Sequence, residues 1–323
     1  MHKDKIIFTS YLSELLDGYV KEQRAVGYKY SKSASLLRRL DGYLEKNPLT
    51  ERRLPKELVL SWTAKKPNET DSNRNGRISI VRGFAKYMVR LGYEAYIYPP
   101  AAVTIARYSY VPHIFTEGEM RNIFVSSDNY PVSEISPHRH LVLQLLMRML
   151  YGCGLRISEA LNLKRGDVDL ENGILFIRNA KFGKERLVPM AETLKERCLQ
   201  YSLEVHKSDT ADNYFFPSPC GGHYKEGTIY KLFRELLWKA GISHSGKGPR
   251  LHDLRHTYSV HCLKSWVVKG KDLTQLLPYL STYLGHVDLR GTQHYLRLTA
   301  ELYPSITASV EKHFSSLIPE VEP

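Results

Sequence analysis

The stretch YGCGLRISEALNLKRGDVD, Tyr151 to Asp169, is where the reading of this chain is decided. Gly152 and Gly154 make a turn whose backbone can come close to another group. Arg156 then opens a helix, and Glu159 stands one turn along it. At that spacing the carboxylate can hold the guanidinium in place. An exposed Arg–Glu pair is the plainer reading and contributes little. The helix runs into a turn, and GILFIRNAKFGKERLVPM follows, Gly173 to Met190. This segment alternates, then turns at Lys181-Phe182-Gly183-Lys184, which predicts a β-hairpin.

Outward from there the pattern is helical. RHLVLQLLMRMLYGCG, Arg139 to Gly154, is strongly apolar, and TEGEMRNIFVSS, Thr116 to Ser127, opens on a Thr116–Glu119 capping box. The region after the hairpin is mainly helical. The chain is therefore predicted to be mainly α with one small β-sheet.

Nearer the N-terminus, Tyr11, Leu12, Leu15, Leu16, Tyr19 and Val20 fall at helical spacing, and Gly27 ends that run. SKSASLLRRLDGYLEKN starts a second helix with Ser31 or Ser33 as its cap. LPKELVLSWTAKK and TDSNRNGRISIVRGFAKYMVRLG predict two more. Four short helices with Lys and Arg on their outer faces make a compact basic bundle over residues 1–108. Tyr96 to Thr116 holds three prolines and no helical pattern, so a linker is expected over about residues 99–112. The second domain then covers residues 113–323.

The formal net charge is +12 over 323 residues. Residues 1–112 carry 20 Lys and Arg against 11 Asp and Glu, and the remainder 26 against 23. A basic excess concentrated in the first third favours a polyanionic partner, nucleic acid first. Candidate contacts in the bundle are Arg38, Arg39, Lys65, Lys66, Arg74, Arg77, Arg82 and Lys86, with Arg77, Arg82 and Lys86 ranked first because one helix carries all three near an otherwise apolar stripe. About half are expected to be solvated charges only. Cys153, Cys198, Cys220 and Cys262 form no CxxC pair, which suits reduced thiols in a cytoplasm. No run of 18 or more apolar residues is present, so no membrane span is expected, and the first residues lack the pattern of a signal peptide.

Two further segments carry chemistry. In LHDLRHTYSV, Leu251 to Val260, His252 and Arg255 are three apart and share a helix face. Together they suit a phosphate: the guanidinium supplies a planar fork of donors, the imidazole a proton or a hydrogen bond. His252 and His256 are also spaced as a metal pair, but no second pair or carboxylate accompanies them, so no metal is expected. In LGHVDLRGTQHYL, Leu284 to Leu296, His286 precedes Tyr295 by nine residues. Tyr283 is expected to pack, and His294 is left without a role.

In this order, Arg156, Lys181, His252, Arg255, His286 and Tyr295 resemble the catalytic set of the tyrosine recombinase (phage integrase) family, over roughly residues 113–300. YGCGLRISEALNLKRGDVD is similar to its first arginine box and AKFGKERLVPM to its lysine hairpin. HDLRHTYS is similar to its His-x-x-Arg box, and LGHVDLRGTQHYL to its closing box. The resemblance implies that the basic bundle is a core-binding (SAM-like) domain and that the two domains form a C-shaped clamp on DNA. It implies that Arg156 and Arg255 grip one DNA phosphate, assisted by His252 and His286. Lys181 would protonate the leaving 5′ oxygen, and Tyr295 would attack phosphorus to leave a 3′-phosphotyrosyl link. Glu159 would support Arg156. No cofactor is implied, and the covalent link conserves bond energy, in keeping with the lack of a GxxxxGK[ST] pattern.

The resemblance also implies double-stranded DNA as partner, a dimer on each site and a tetramer in the synapse. The tail, with Tyr303, Ile306, Val310, Phe314 and Leu317 at helical spacing, would dock on a neighbouring copy. The work would take place in the cytoplasm, at the nucleoid. The interval between Arg255 and His286 is longer than in compact Xer-type members, which favours an integrase or transposase of a mobile element. An additional arm-binding domain is not expected. The alternatives are an Xer-like resolvase, a topoisomerase of the same chemistry, and a DNA-binding regulator with a dead site; the intact set of six speaks against the last.

Overall fold

The computed structural model describes residues 7–28, 30–100, 111–178, 185–207, 210–246 and 248–286, with Thr292, Tyr295, Leu296 and Leu298 beyond them. The chain forms two compact units, Met1–Ser109 and Tyr110–Pro323.

The first unit holds α1 (Ser13–Ala25), α2 (Ser31–Glu45), α3 (Lys56–Thr63) and α4 (Asp71–Arg90). Leu12, Leu16, Leu37, Leu40, Leu44, Val81, Phe84 and Met88 meet in one fully buried core. Each such side chain is worth about 1.5–3 kcal/mol of burial. Buried Asp41 accepts the backbone N–H groups of Thr9 (2.9 Å) and Ser10 (3.0 Å), tying the entering chain to α2. Thr70 caps α4 by accepting from the Asn73 N–H at 3.3 Å. At the head of α2 the expected serine cap is replaced by Tyr30, in the left-handed region at φ +50° with no side-chain cap bond. The Tyr30 ring packs edge-on against Tyr19 at 5.9 Å, a contact that a serine could not make and that offsets the backbone strain.

In the second unit α5 (Glu117–Asp128) and α6 (Arg139–Gly152) lead into α7 (Ile157–Leu161). The capping box predicted at Thr116 is present: Thr116 N–H donates to Glu119 Oε2 at 2.8 Å, and Glu119 N–H to Thr116 Oγ1 at 3.1 Å. α6 is buried on nearly all sides, through Val142, Leu143, Leu146, Met147 and Met149. It forms the axis on which α5, α7, α8 (Glu192–Val205) and α10 (Asp253–Val268) pack. Beside it lies an antiparallel sheet of β1 (Val168–Asp169), β2 (Ile174–Ile177) and β3 (Arg186–Pro189), in that order. Leu175 pairs with Val188 and Ile177 with Arg186. β2 and β3 are the two arms predicted as a hairpin, and the turn that carries Lys181 lies outside the described residues. α9 (Glu226–Lys239) completes this core. The long interval after Arg255 is built by an extended α10 and by α11 (Leu273–Leu284), which Asp272 caps through the Thr274 N–H at 2.8 Å. Among the described residues no helix is long and apolar enough to cross a membrane.

Candidate active site

The site begins at Gly154. Its φ of +56° is left-handed, and a Cβ there would stand 2.6 Å from the Tyr258 ring. Only glycine fits, and its carbonyl is thereby aimed at α10. Arg255, in the first turn of α10, donates from Nη1 to that carbonyl at 2.7 Å and from Nη2 to the Leu284 carbonyl at 2.6 Å. Its Nη2 also lies 3.2 Å from His286 Nε2. The side chain is 1 % exposed. Loss of hydration, then the nearby charge of Arg156, pushes its guanidinium down to about 10, which leaves it a cation at neutral pH.

Arg156 occupies the N-cap of α7. Its Nη1 donates to Glu159 Oε1 at 2.6 Å and its Nη2 to the Gly285 carbonyl at 3.3 Å. Glu159 reaches back to the Arg156 N–H at 3.0 Å. A third arginine, Arg186 from β3, grips the same carboxylate from the other side, at 3.0 and 2.8 Å, and donates from Nε to the Tyr283 carbonyl at 2.8 Å. Burial pushes the Glu159 carboxyl up, but the hydrogen bonds and charge of Arg186, then of Arg156, overcome this and hold it at about 2.

The end of α11 gathers these groups. Gly285 closes it in the left-handed region at φ +67°. The last carbonyls of a helix lack partners within it and carry the negative end of its dipole. Here the main chain satisfies two of them, Ser281 and Thr282, through His286 N–H and Gly285 N–H. Arg186, Arg255 and Arg156 take the next three, Tyr283, Leu284 and Gly285.

Tyr295 is 3 % exposed and packs with Val260, Leu263, Leu280, Leu284 and Leu298. Its ring stacks on His286 at 6.0 Å and tilts against His256 at 5.4 Å. His256 in turn meets His252 edge-on at 4.8 Å. His252 keeps an exposed edge, while its ring is crowded by protein. Loss of hydration, then the charges of Arg255 and Arg156, pushes its imidazole down to about 4, so it is neutral at pH 7. Tyr283 behaves differently from Tyr295: its hydroxyl donates to the Pro189 carbonyl at 3.2 Å, its ring stacks on Tyr258, and burial drives its pKa far up.

Of the residues singled out in the sequence, Arg156, Glu159, Arg255, His286 and Tyr295 meet at one place, with His252 at its edge. Lys181, His294 and the tail lie outside the described residues. Arg186 and Thr292 were missed, and His256, weighed only as half of a metal pair, packs against the Tyr295 ring. The signal for Arg186 was present in the arginine that opens the returning strand of a hairpin whose other arm is apolar. Among the described residues no three His, Cys, Asp or Glu side chains cluster as metal ligands would.

The basic candidates of the first unit divide. Arg77, ranked among the first, is 4 % exposed and committed inward. Its Nη2 bonds Glu69 at 2.5 Å and the Ala64 carbonyl at 2.9 Å, Nη1 donates to the Trp62 carbonyl, and the guanidinium stacks on the Trp62 ring at 5.2 Å. It ties the end of α3 to α4 and has no donor face left for DNA. Arg82 donates to the carbonyls of Tyr98 and Pro99, both at 2.7 Å, and Arg74 to that of Thr63 at 3.0 Å. Arg38 donates to the Ile7 carbonyl at 3.1 Å, and Lys65 pairs with Asp71 at 2.8 Å. Arg39, Lys66 and Lys86 are exposed.

The description "Phage integrase family" matches residues 115–301. A putative integrase/recombinase, y4rE of Sinorhizobium fredii, is 30% identical over 301 residues, covering 91% of this chain and 94% of that protein. Tyrosine recombinase XerC of Oceanobacillus iheyensis is 31% identical over 234 residues, 70% of each chain. Among solved structures, the Tn1549 transposon integrase in complex with transposon right end DNA shares the fold, with a TM-score of 0.61 at 18% identity over 87% of this chain and 94% of that one. The chain thus belongs to the phage integrase family, as a tyrosine recombinase that cuts and rejoins DNA by transesterification.

Proposed function

We propose that this recombinase integrates or excises a mobile element, with Tyr295 as nucleophile and Arg156, Lys181, His252, Arg255 and His286 serving the transferred phosphate. The observation that carries the assignment is the convergence at Tyr295: Arg255 touches His286 at 3.2 Å, and His286 stacks on the Tyr295 ring. Phosphoryl transfer needs in-line placement and neutralised equatorial oxygens. Two guanidiniums held by Glu159 and by helix carbonyls supply both. The phenol oxygen forms its bond to phosphorus as the bond to the 5′ oxygen breaks. The phenol proton passes to the neutral imidazole of His252, and Lys181 gives a proton to the departing 5′ oxygen. The 5′-hydroxyl of a second strand then attacks the phosphotyrosine and frees Tyr295. Because the Tyr295 ring is sheltered among leucines, it turns out of that cluster as DNA seats.

Double-stranded DNA at specific sites is the partner. The protein acts as a dimer on each site and a tetramer in the synapse, with the tail docking on a neighbouring copy. The basic excess of residues 1–112 supports DNA binding by the first unit. The mobile-element role rests on the fold shared with a transposon integrase and on the long α10–α11 interval. The reaction takes place at the nucleoid, in the cytoplasm. Two labelled DNAs carrying the native flanks of the gene test this. A recombinase yields Holliday junctions between defined partners, whereas a topoisomerase relaxes supercoils and yields none.

A further inference from the structure

Every donor that the geometry assigns to Arg186 is spent on protein. The side chain is 8% exposed. Nη1 and Nη2 form parallel bonds to the two Glu159 oxygens, and Nε donates to the Tyr283 carbonyl. Gly285 makes room for it, since a Cβ there would stand 2.8 Å from Nη1. Glu159 is thereby saturated: Oε1 receives Arg156 Nη1 and Arg186 Nη1, and Oε2 receives Arg156 N–H and Arg186 Nη2. Arg186 also opens β3, paired in register with Ile177 of β2. One guanidinium therefore joins the sheet, α7 and the end of α11.

We propose that Arg186 is a positioning residue for strand transfer: it locks the Glu159 carboxylate to the last turn of α11 and so sets where the Arg156 and Arg255 guanidiniums stand before DNA arrives. The inference rests on the phosphate role given above to Arg156 and Arg255. Without Arg186, half of the acceptor capacity of Glu159 is left to Arg156, which then turns further into the carboxylate and away from the phosphate. The bidentate fork matters, because a lysine is a point charge that can satisfy one oxygen at a time. The loss falls on the rate of cleavage and leaves DNA affinity as it was, since Arg186 itself meets no phosphate.

The test uses the full chain and a negatively supercoiled plasmid carrying its coding sequence with native flanking DNA. Covalent adduct is trapped with detergent at saturating protein, DNA affinity is measured in parallel, and Tyr295→Phe sets the background. The wild type is expected to form adduct. Arg186→Ala is expected to form it about 10- to 100-fold more slowly at wild-type affinity. Arg186→Lys is expected to recover little of that loss. Glu159→Ala combined with Arg186→Ala is expected to be no slower than Glu159→Ala alone, because the two act as one unit. A folded Arg186→Ala or Arg186→Lys that cleaves at the wild-type rate overturns the proposal. So does a loss of affinity that matches the loss of rate, or an additive double variant. Should the alanine variant fail to fold, the lysine variant decides. A wild type that forms no adduct overturns the underlying reading instead, and the inference with it.

Discussion

Nη2 of Arg255 stands 3.2 Å from Nε2 of His286. An arginine carries no acceptor, so Nε2 must be the bare nitrogen of that ring. Nδ1 then holds the proton and donates to Thr292 Oγ1 at 2.8 Å. The tautomer of His286 is set from both sides, and with it the ring on which Tyr295 stacks. Thr292→Val keeps the shape and removes the acceptor. It is expected to slow adduct formation about tenfold, and nitrogen NMR of His286 should show a mixed tautomer where the wild type shows one.

Tyr295→Phe is expected to abolish the covalent adduct while DNA binding persists. Tyr283→Phe should keep the adduct, because its hydroxyl is engaged with the Pro189 carbonyl. An adduct from the Tyr295 variant would place the nucleophile elsewhere.

Arg255→Ala removes the guanidinium proposed to grip the phosphate and strands two buried carbonyls, those of Gly154 and Leu284. A fall in cleavage of about 100-fold or more is expected, together with a loss of stability on the order of 3 kcal/mol. Urea melts and single-turnover cleavage separate the two effects.

Glu159 gives the protein an acid limit. Its carboxyl sits at about 2 in the folded chain against 4.5 as its ordinary value. A depressed carboxylate stabilises the fold above the ordinary value, and that contribution is lost as pH falls through 4.5 towards 2. The contribution is on the order of 3 kcal/mol. Glu159→Gln should therefore be less stable at pH 7 and should flatten the decline in stability below pH 4.5, read as melting temperature against pH.

Within the first unit, Arg77→Ala should destabilise the bundle by about 3 kcal/mol, the cost of breaking a buried ion pair, without changing the salt dependence of DNA binding. Lys86→Ala should do the reverse, shrinking the slope of log affinity against log salt by about 1.

The helices and the hairpin arms were legible because periodicity and caps are local, and the site was legible where a residue type and its spacing carry the chemistry. Arg77 was misread for a physical reason. It lies on the stripe of α4 that includes Ile78, Val81, Phe84 and Met88, all buried. Proximity to that stripe argued for burial, and the charge is met inside by Glu69. Arg186 was missed because its partners come from α7 and α11, distant in the chain, so that the arginine at the head of the returning strand does not by itself name them. Tyr30 takes the N-cap position of α2 without a side-chain cap bond, and its ring packs on Tyr19, a contact that lies outside any local capping pattern.

The three arginines bind α11 through the carbonyls of its last turn. The exposed stretch from Val268 to Asp272 can change sequence without touching those bonds, whereas Val260, Leu263 and Leu280 are held by their packing on Tyr295. The interval between the His-x-x-Arg segment and His286 thus has an outer stretch open to change and an inner face fixed by the Tyr295 ring it covers.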